Sequence, residues 1–496
     1  MTRAKRGWGE DIMSNTRNGV NMALISAIVA VATIGGLLFG YDSGAVNGTQ
    51  TGLTAEFDLT PASLGFTVGS LLIGCAFGAA LAGRLADVMG RRNVMLVAAA
   101  LFVAGALTQG LTHDHTIFVI ARFFGGMAVG AASVLSPLYI SEVAPANIRG
   151  RLTTVQQVMI ITGLTAAFVV NYFVANAAGD SLGELAGVKA WRWMYLAQAL
   201  PAVVFLIALF FIPESPRFLV SKGRKAEALK VLTSLFGSAE AERKVGEIQA
   251  SFADDHRPRL SDVTAPGTVF RPIVWAGLLL ATFQQFVGIN IIFYYGETLW
   301  KLAGVSESAA LERNVVSGLV SIAAVFAAIL LIDKIGRKPL LLIGSVGMAV
   351  TLGAMTWAFS AAGTDAAGNL MLAPTQGWVA LVAANLYVIF FNFSWGPVIW
   401  VMLGEMFPNQ IRGSALAVAG FAQWAANFLV VQIFPWMADS LGLAATYAFY
   451  TASAVISFFL VRAFIKETKG KELEEMEGWT APAAAGDAEV ATTKLS

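Results

Sequence analysis

Charge is scarce in this sequence of 496 residues. Asp, Glu, Lys and Arg make up 13% and hydrophobic residues 56%, whereas a soluble domain carries about 25% charge. Cysteine is nearly absent: Cys75 stands alone in an apolar run, which excludes an internal disulfide and a thiolate metal cluster. Only three histidines occur, His113, His115 and His256. All three fall in predicted loops without a carboxylate cage, so we expect them to be solvated rather than metal ligands. The formal net charge of +1 leaves no basic surface for nucleic acid. No nucleophile–base pair or metal set lies within the apolar runs, which argues against an enzyme and gives no reason to expect a cofactor. The N-terminus has no compact signal peptide, and its first hydrophobic run is full length, so it reads as a first span.

Long apolar runs are what the sequence does have. About 12 segments reach bilayer-spanning length, at 20–42, 63–83, 93–111, 116–140, 154–175, 193–212, 271–295, 314–332, 339–359, 377–403, 413–436 and 442–465. An all-α membrane protein follows. Its domains are expected to be an N-terminal segment 1–19, a six-helix bundle 20–212, a linker 213–270, a second six-helix bundle 271–465 and a tail 466–496, disordered at its end. The linker is the one long polar stretch, and its charge-rich part, 222–250, reads as short amphipathic helices outside the membrane. Basic residues cluster on one side of the spans: Arg91 with Arg92, Arg149 with Arg151, the linker, Lys334 with Arg337 and Lys338, and Arg412. On the opposite side, loops such as 43–62, 111–115 and 360–376 carry none, with Lys189 and Arg192 as exceptions. The positive-inside rule then places both termini and the linker in the cytoplasm.

Two ionisable residues interrupt the apolar runs. Asp42 closes the uncharged run 20–41, and Arg122 sits inside the fourth span. Such residues are costly in a bilayer and mark ion or proton pathways. The first span runs outward and the fourth inward. Asp42 therefore lies near an outer end, and Arg122 lies about six residues, roughly 9 Å, below one.

The chain also repeats at a separation of about 250 residues. Gly83-Arg84-Leu85-Ala86-Asp87-Val88-Met89-Gly90-Arg91-Arg92 returns as Asp333-Lys334-Ile335-Gly336-Arg337-Lys338. Glu142 with Arg149-Gly150 returns as Glu405 with Arg412-Gly413, and Pro213-Glu214-Ser215 returns weakly as Lys466-Glu467-Thr468. Parallel repeats of this kind are common in transporters. Together with Gln284-Gln285-Phe286-Val287-Gly288-Ile289-Asn290 and Ser394-Trp395-Gly396-Pro397, these motifs make the chain closely resemble the sugar porters of the major facilitator superfamily, along nearly its whole length. Lys466 departs from the family's usual proline.

The resemblance implies two pseudo-symmetric six-helix bundles that transport sugar by alternating access. Arg84, Asp87, Glu142 and Arg149 of one half can cross-pair with Asp333, Arg337, Glu405 and Arg412 of the other on the cytoplasmic side, and the resemblance favours a latch there, with Arg91, Glu214 and Glu467 as further gating residues. Gln157, Gln284, Gln285, Asn290, Trp400 and Gln423 match sugar-contacting positions. Tyr294 and Trp424 lie beside them, Gly396 falls where a glycine lets span ten flex, and Ser321 stands where the family has a longer asparagine. An amide both donates and accepts, as a sugar hydroxyl does, and tryptophan offers a flat apolar face. The lack of another mid-span charge points to a neutral substrate. Leu164 and Phe293 are apolar, as in glucose carriers of the family, where xylose-specific relatives carry Gln and Leu. The reading is a proton-coupled symporter for a hexose such as D-glucose, with Asp42 and Arg122 as the coupling pair if spans one and four are neighbours. It is expected in a bacterial inner membrane, as a monomer. The alternatives are a D-xylose/proton symporter, a facilitative uniporter, a sugar sensor, or a drug or organic-anion carrier.

Overall fold

Within a bilayer every backbone N–H and C=O must be bonded internally, so apolar runs of this length become helices. In a computed structural model, residues 19–145, 148–253, 260–264, 269–364, 370–408 and 411–469 are described. His256, most of the N-terminal segment and the end of the tail lie outside these residues. Among the described residues, 12 helical segments are long and apolar enough to cross a membrane.

The first six spans are α1 (Met22–Ala45), α3 (Pro61–Met89), α4 (Arg91–Leu111), α5 (His115–Val143), α6 (Arg149–Ala178) and a pair, α7 (Ala190–Leu196) with α8 (Ala199–Ala208). A short α2 (Gln50–Phe57) follows the first span. A two-residue hairpin, β1 (Glu184–Leu185) and β2 (Val188–Lys189), precedes α7. The linker folds as α9 (Pro216–Ser221), α10 (Lys225–Phe236) and α11 (Ser238–Ala253).

Span seven is α12 (Pro272–Phe286) plus α13 (Ile289–Leu302), then come α14 (Glu307–Ile335) and α15 (Arg337–Ser360). A second hairpin joins β3 (Gly363–Thr364) to β4 (Leu370–Met371). Span ten is α16 (Pro374–Phe393) plus α17 (Trp395–Met406), followed by α18 (Arg412–Ser440) and α19 (Gly442–Phe464).

The chain divides into two compact units, Met1–His256 with Glu307–Gly318, and Arg257–Ser306 with Leu319–Ser496. In the first, α1 packs on α6 and α3 on α5. These contacts are close because glycines line them: a Cβ at Gly40 would lie 1.8 Å from the Ile160 carbonyl oxygen. Small residues of this kind let membrane helices approach backbone to backbone. The linker helices belong to this unit. Leu219, Val220 and Ala228 form a small core there, and Leu235 O accepts a bond from Asn21 N.

The first turns of α14 also belong to the first unit, although the rest of span eight does not. Asn314 Nδ2 donates to Asn47 Oδ1 at 2.7 Å, Ser308 Oγ to Asn176 Oδ1 at 2.8 Å, and Ser181 N to Glu307 Oε1 at 2.7 Å. In the second unit α15 packs on α16 and α19, and α12 on α18.

Three spans depart from a regular α-helix. Span six only tightens at Ala197–Gln198, where Gln198 N bonds the Tyr195 carbonyl three residues back and both residues stay right-handed helical. Span seven breaks at Gly288, which is left-handed (φ +86°), and bends again at Tyr295. Span ten breaks at Ser394 (φ −127°, ψ −90°). Span seven also continues to Leu302 instead of ending at residue 295, because Glu297 pairs with Lys301 one turn on, at 3.4 Å. That brings Glu297, 0% exposed, inside the span and corrects the expectation of no further mid-span charge. The pair itself carries no net charge.

Candidate functional site

The first polar cluster lies in the first unit around Asp42 and Arg122, which are 2% and 1% exposed. Asp42 falls on the last turn of α1, where Asn171 of α6 braces the chain by donating to the Gly44 carbonyl at 2.8 Å. The two charged groups are neighbours, but Arg122 NH2 stands 3.7 Å from Asp42 Oδ2, longer than a hydrogen bond. Arg122 is held mainly by neutral acceptors. It donates to Gln109 Oε1 at 3.3 Å, to the Val68 carbonyl at 3.1 Å and to Tyr195, whose hydroxyl also takes a bond from Thr49 at 3.1 Å. Gln198, between α7 and α8, also neighbours the Asp42 carboxyl. A buried cation with this many neutral partners does not depend on the carboxylate for its solvation. Gln109 and Gln198 carried no motif and the sequence reading passed over them.

The second cluster is a chain of amides in the second unit. Gln284 Nε2 donates to the carbonyls of Trp395 (3.0 Å) and Gly396 (3.3 Å), which the break in span ten exposes. Gln284 Oε1 accepts from Gln423 at 2.6 Å and from Gln285 at 3.5 Å. Asn290 Nδ2 then bridges Gln285 Oε1 at 2.6 Å and Asn427 Oδ1 at 2.8 Å. Four expected residues are thus joined, and Asn427 is a fifth that the sequence reading missed. Gln423 Oε1 is buried without a hydrogen-bond partner, an acceptor open to a hydroxyl.

Tyr294, Phe293, Ser321 and Trp424 are buried in the same unit, whereas Trp400 is 42% exposed on α17. Gln157 and Leu164 lie on α6 of the first unit, Leu164 buried and Gln157 half-buried.

The rim residues form the same clasp twice. In the first unit Arg91 bridges Glu142 and Asp87, each at 3.1 Å. In the second Arg337 bridges Glu405 at 2.8 Å and Asp333 at 3.1 Å. Glu214 caps α4 by accepting from Arg91 N and Arg92 N, and Glu467 caps α15 through Arg337 N and Lys338 N. Ser215 donates to Glu142, and Thr468 to Glu405 at 2.6 Å. Gly90 and Gly336 turn the chain at φ +98° and +104°, and a Cβ on either would collide with the capping glutamate. Burial pushes the Glu467 carboxyl up, but the backbone N–H groups around it prevail and hold it below the usual range.

These described pairs run inside each unit, where the sequence reading had the residues cross-pairing. Arg412 donates to the Phe407 carbonyl at 3.1 Å, Arg84 is exposed, and the side chain of Arg149 lies outside the described residues.

At the other end of the first unit, Glu56 collects Lys189 and Arg192, each at 2.9 Å, and His113 at 3.0 Å. Lys189 and His113, with Arg192 behind them, pull the Glu56 carboxyl down to about 2. His115 pairs with Thr67 at 2.8 Å. Neither loop histidine is simply solvated, although His113 remains exposed.

A family model described as sugar (and other) transporter matches residues 28–479. A glucose transport protein of Synechocystis sp. is 44% identical over 465 residues, covering 93% of this chain and 99% of that one. The D-xylose-proton symporter of Escherichia coli K12 is 38% identical, covering 93% and 97%. The inward-open structure of the xylose transporter of E. coli superposes with a TM-score of 0.77 at 36% identity, covering 91% of this chain and 99% of that chain. With twelve spans, a motif that recurs in both halves and relatives that are transporters rather than enzymes, the chain is a multi-pass membrane protein of the sugar porter family, in the major facilitator superfamily.

Proposed function

We propose that the protein is a proton-coupled symporter that imports a neutral hexose, D-glucose first, by alternating access, with both termini in the cytoplasm. The observation that carries the coupling is the buried Asp42–Arg122 neighbourhood. A carboxylate 3.7 Å from a guanidinium that is bonded elsewhere can be neutralised by a proton without stranding the cation. A uniporter has no use for such a pair.

The five joined amides support a substrate with many hydroxyls, because each amide can exchange its neighbour for a hydroxyl without a net loss of hydrogen bonds. Buried Leu164 and Phe293 favour glucose over xylose, as does the 44% identity to a protein named for glucose transport. An apolar wall discriminates only weakly, and the relative at 38% is named a D-xylose-proton symporter. D-xylose is therefore expected as a competing or slower substrate.

Radiolabelled glucose and xylose uptake into proteoliposomes, with and without an inward proton gradient, tests both points. Gradient-driven accumulation with higher efficiency for glucose is the expected result. Equal uptake without a gradient would make the protein a uniporter, and higher efficiency for xylose would reverse the substrate order.

A further inference from the structure

The two broken spans of the second unit satisfy each other's backbone. Span ten breaks at Ser394, and the carbonyls of Trp395 and Gly396 receive Gln284 Nε2 of span seven. Span seven breaks at Gly288, and there the exchange runs the other way. Ile291 N bonds the Gly288 carbonyl, three residues back, at 3.1 Å. The Val287 carbonyl, which Ile291 N would take in an unbroken helix, instead accepts the hydroxyl of Tyr387 on α16 at 2.7 Å. Tyr387 is 0% exposed, so bulk water does not compete for that bond.

Aromatic rings press on the same turn from α19. A Cβ at Gly288 would come within 2.8 Å of the Tyr450 ring. Tyr450 meets Tyr447 edge-on at 6.1 Å, and Tyr447 packs on Phe359 of α15 at 5.2 Å. Rings can wedge a turn, but a buried carbonyl also needs a donor. Tyr387 supplies it.

The bend matters because the amides lie on both sides of it. Gln284 and Gln285 end α12 and Asn290 opens α13. Asn290 Nδ2 reaches back over the break to Gln285 Oε1 at 2.6 Å. In a straight helix, side chains five positions apart point about 140° away from each other around the axis. The two amides therefore meet only while the bend is kept.

We propose that Tyr387 is a positioning residue for the sugar site: its hydroxyl fixes the bend of span seven by capping the Val287 carbonyl, and so sets Asn290 beside Gln284 and Gln285. The proposal rests on the reading of these amides as the sugar site. Tyr387 acts through the backbone and needs no contact with the sugar. Without its hydroxyl the Val287 carbonyl competes with that of Gly288 for Ile291 N, the break fluctuates between two registers, and Asn290 leaves Gln285 in one of them.

The test uses the full-length protein in lipid nanodiscs, comparing wild type with Tyr387→Phe, which keeps the ring and removes one oxygen, with Asn290→Ala, and with the double variant. Glucose affinity is measured by calorimetric titration. Tyr387→Phe and Asn290→Ala should each weaken binding about tenfold, the effect of one hydrogen-bonding group lost or misplaced. Because Tyr387 acts through Asn290, the double variant should bind within about threefold of Asn290→Ala alone. Losses that multiply, or an unchanged affinity in Tyr387→Phe, would overturn the proposal in favour of a packing role.

A second measurement needs no sugar. Amide hydrogen exchange in the segment 283–292 should be about tenfold faster in Tyr387→Phe than in wild type, because the break opens more readily. Unchanged exchange refutes the role of Tyr387. If Asn290→Ala binds glucose as wild type does, the reading of the amides as the sugar site falls instead. Hydrogen exchange then decides the role of Tyr387 alone, faster exchange supporting it and superposed exchange curves refuting it.

Discussion

Replacing Asp42 with Asn removes one charge and changes the shape hardly at all. At 3.7 Å from Arg122 and an effective dielectric constant of about 20, the lost attraction is about 4 kcal/mol. Stranding a buried partner ordinarily costs about 3–5 kcal/mol. Here Arg122 retains acceptors at 3.3 Å and 3.1 Å, and the asparagine carbonyl remains beside it. The expected loss of stability is therefore about 1–2 kcal/mol, and the variant should reconstitute and bind sugar.

Transport divides sharply. For one proton per sugar, each unit of pH difference supports up to tenfold accumulation, about 1.4 kcal/mol. Asp42→Asn should lose all of that and equilibrate glucose to equal concentrations, while counterflow continues near the wild-type rate. The assay is time-resolved uptake into liposomes with a preset pH difference. If Asp42→Asn still concentrates glucose under that gradient, the carboxylate is not the proton carrier.

Gln284 joins Gln423, Gln285 and the exposed carbonyls of span ten, so Gln284→Ala should weaken glucose binding 10- to 100-fold, about 1.4–2.8 kcal/mol, measured by calorimetric titration. Gly90→Ala combines a positive φ with a Cβ 2.3 Å from Glu214, and should lower the thermal midpoint more than Gly83→Ala, whose Cβ would meet nothing. Glu56 has a folded-state carboxyl lowered from 4.5 to about 2. Its ion cluster therefore stabilises the fold above pH 4.5 and loses that contribution as pH falls toward 2. Glu56→Gln should accordingly lower the melting temperature at pH 7, with the difference closing in that acid range.

The rim clasps were legible in the sequence because charged residues in a charge-poor chain are conspicuous and their spacing recurs. Which acid meets which base was not, since spacing on separate loops says nothing about distance in space. The joined glutamines and Asn290 were found because polar residues clustered on one helical stripe. Asn427, Gln109 and Gln198 escaped because each is a single polar residue in an apolar run, with nothing local to separate a ligand or partner from helix glue. Glu297 escaped for a different reason. Hydropathy ends a span where charge begins, whereas a neutralised pair lets the helix carry on through it. The break in span ten was foreshadowed by Gly396, and the irregularity of span six at Ala197–Gln198 by Pro201, which has no N–H to give the Ala197 carbonyl four residues back, a signal the sequence reading passed over.

The duplicated clasp sets an order of assembly during synthesis. In each unit a turn near the second or eighth span is locked by residues that follow the sixth or twelfth: Glu214 and Ser215 in one, Glu467 and Thr468 in the other. Domains made on the ribosome fold in sequence as they emerge. The first clasp can shut once residue 215 has been made, with the second unit still unwritten. The second stays open until the chain has passed its last membrane crossing. A truncation between residues 465 and 467 would thus leave every helix present and one cap empty, a fault exposed at the clasp end of the unit without any misfolding in the bilayer.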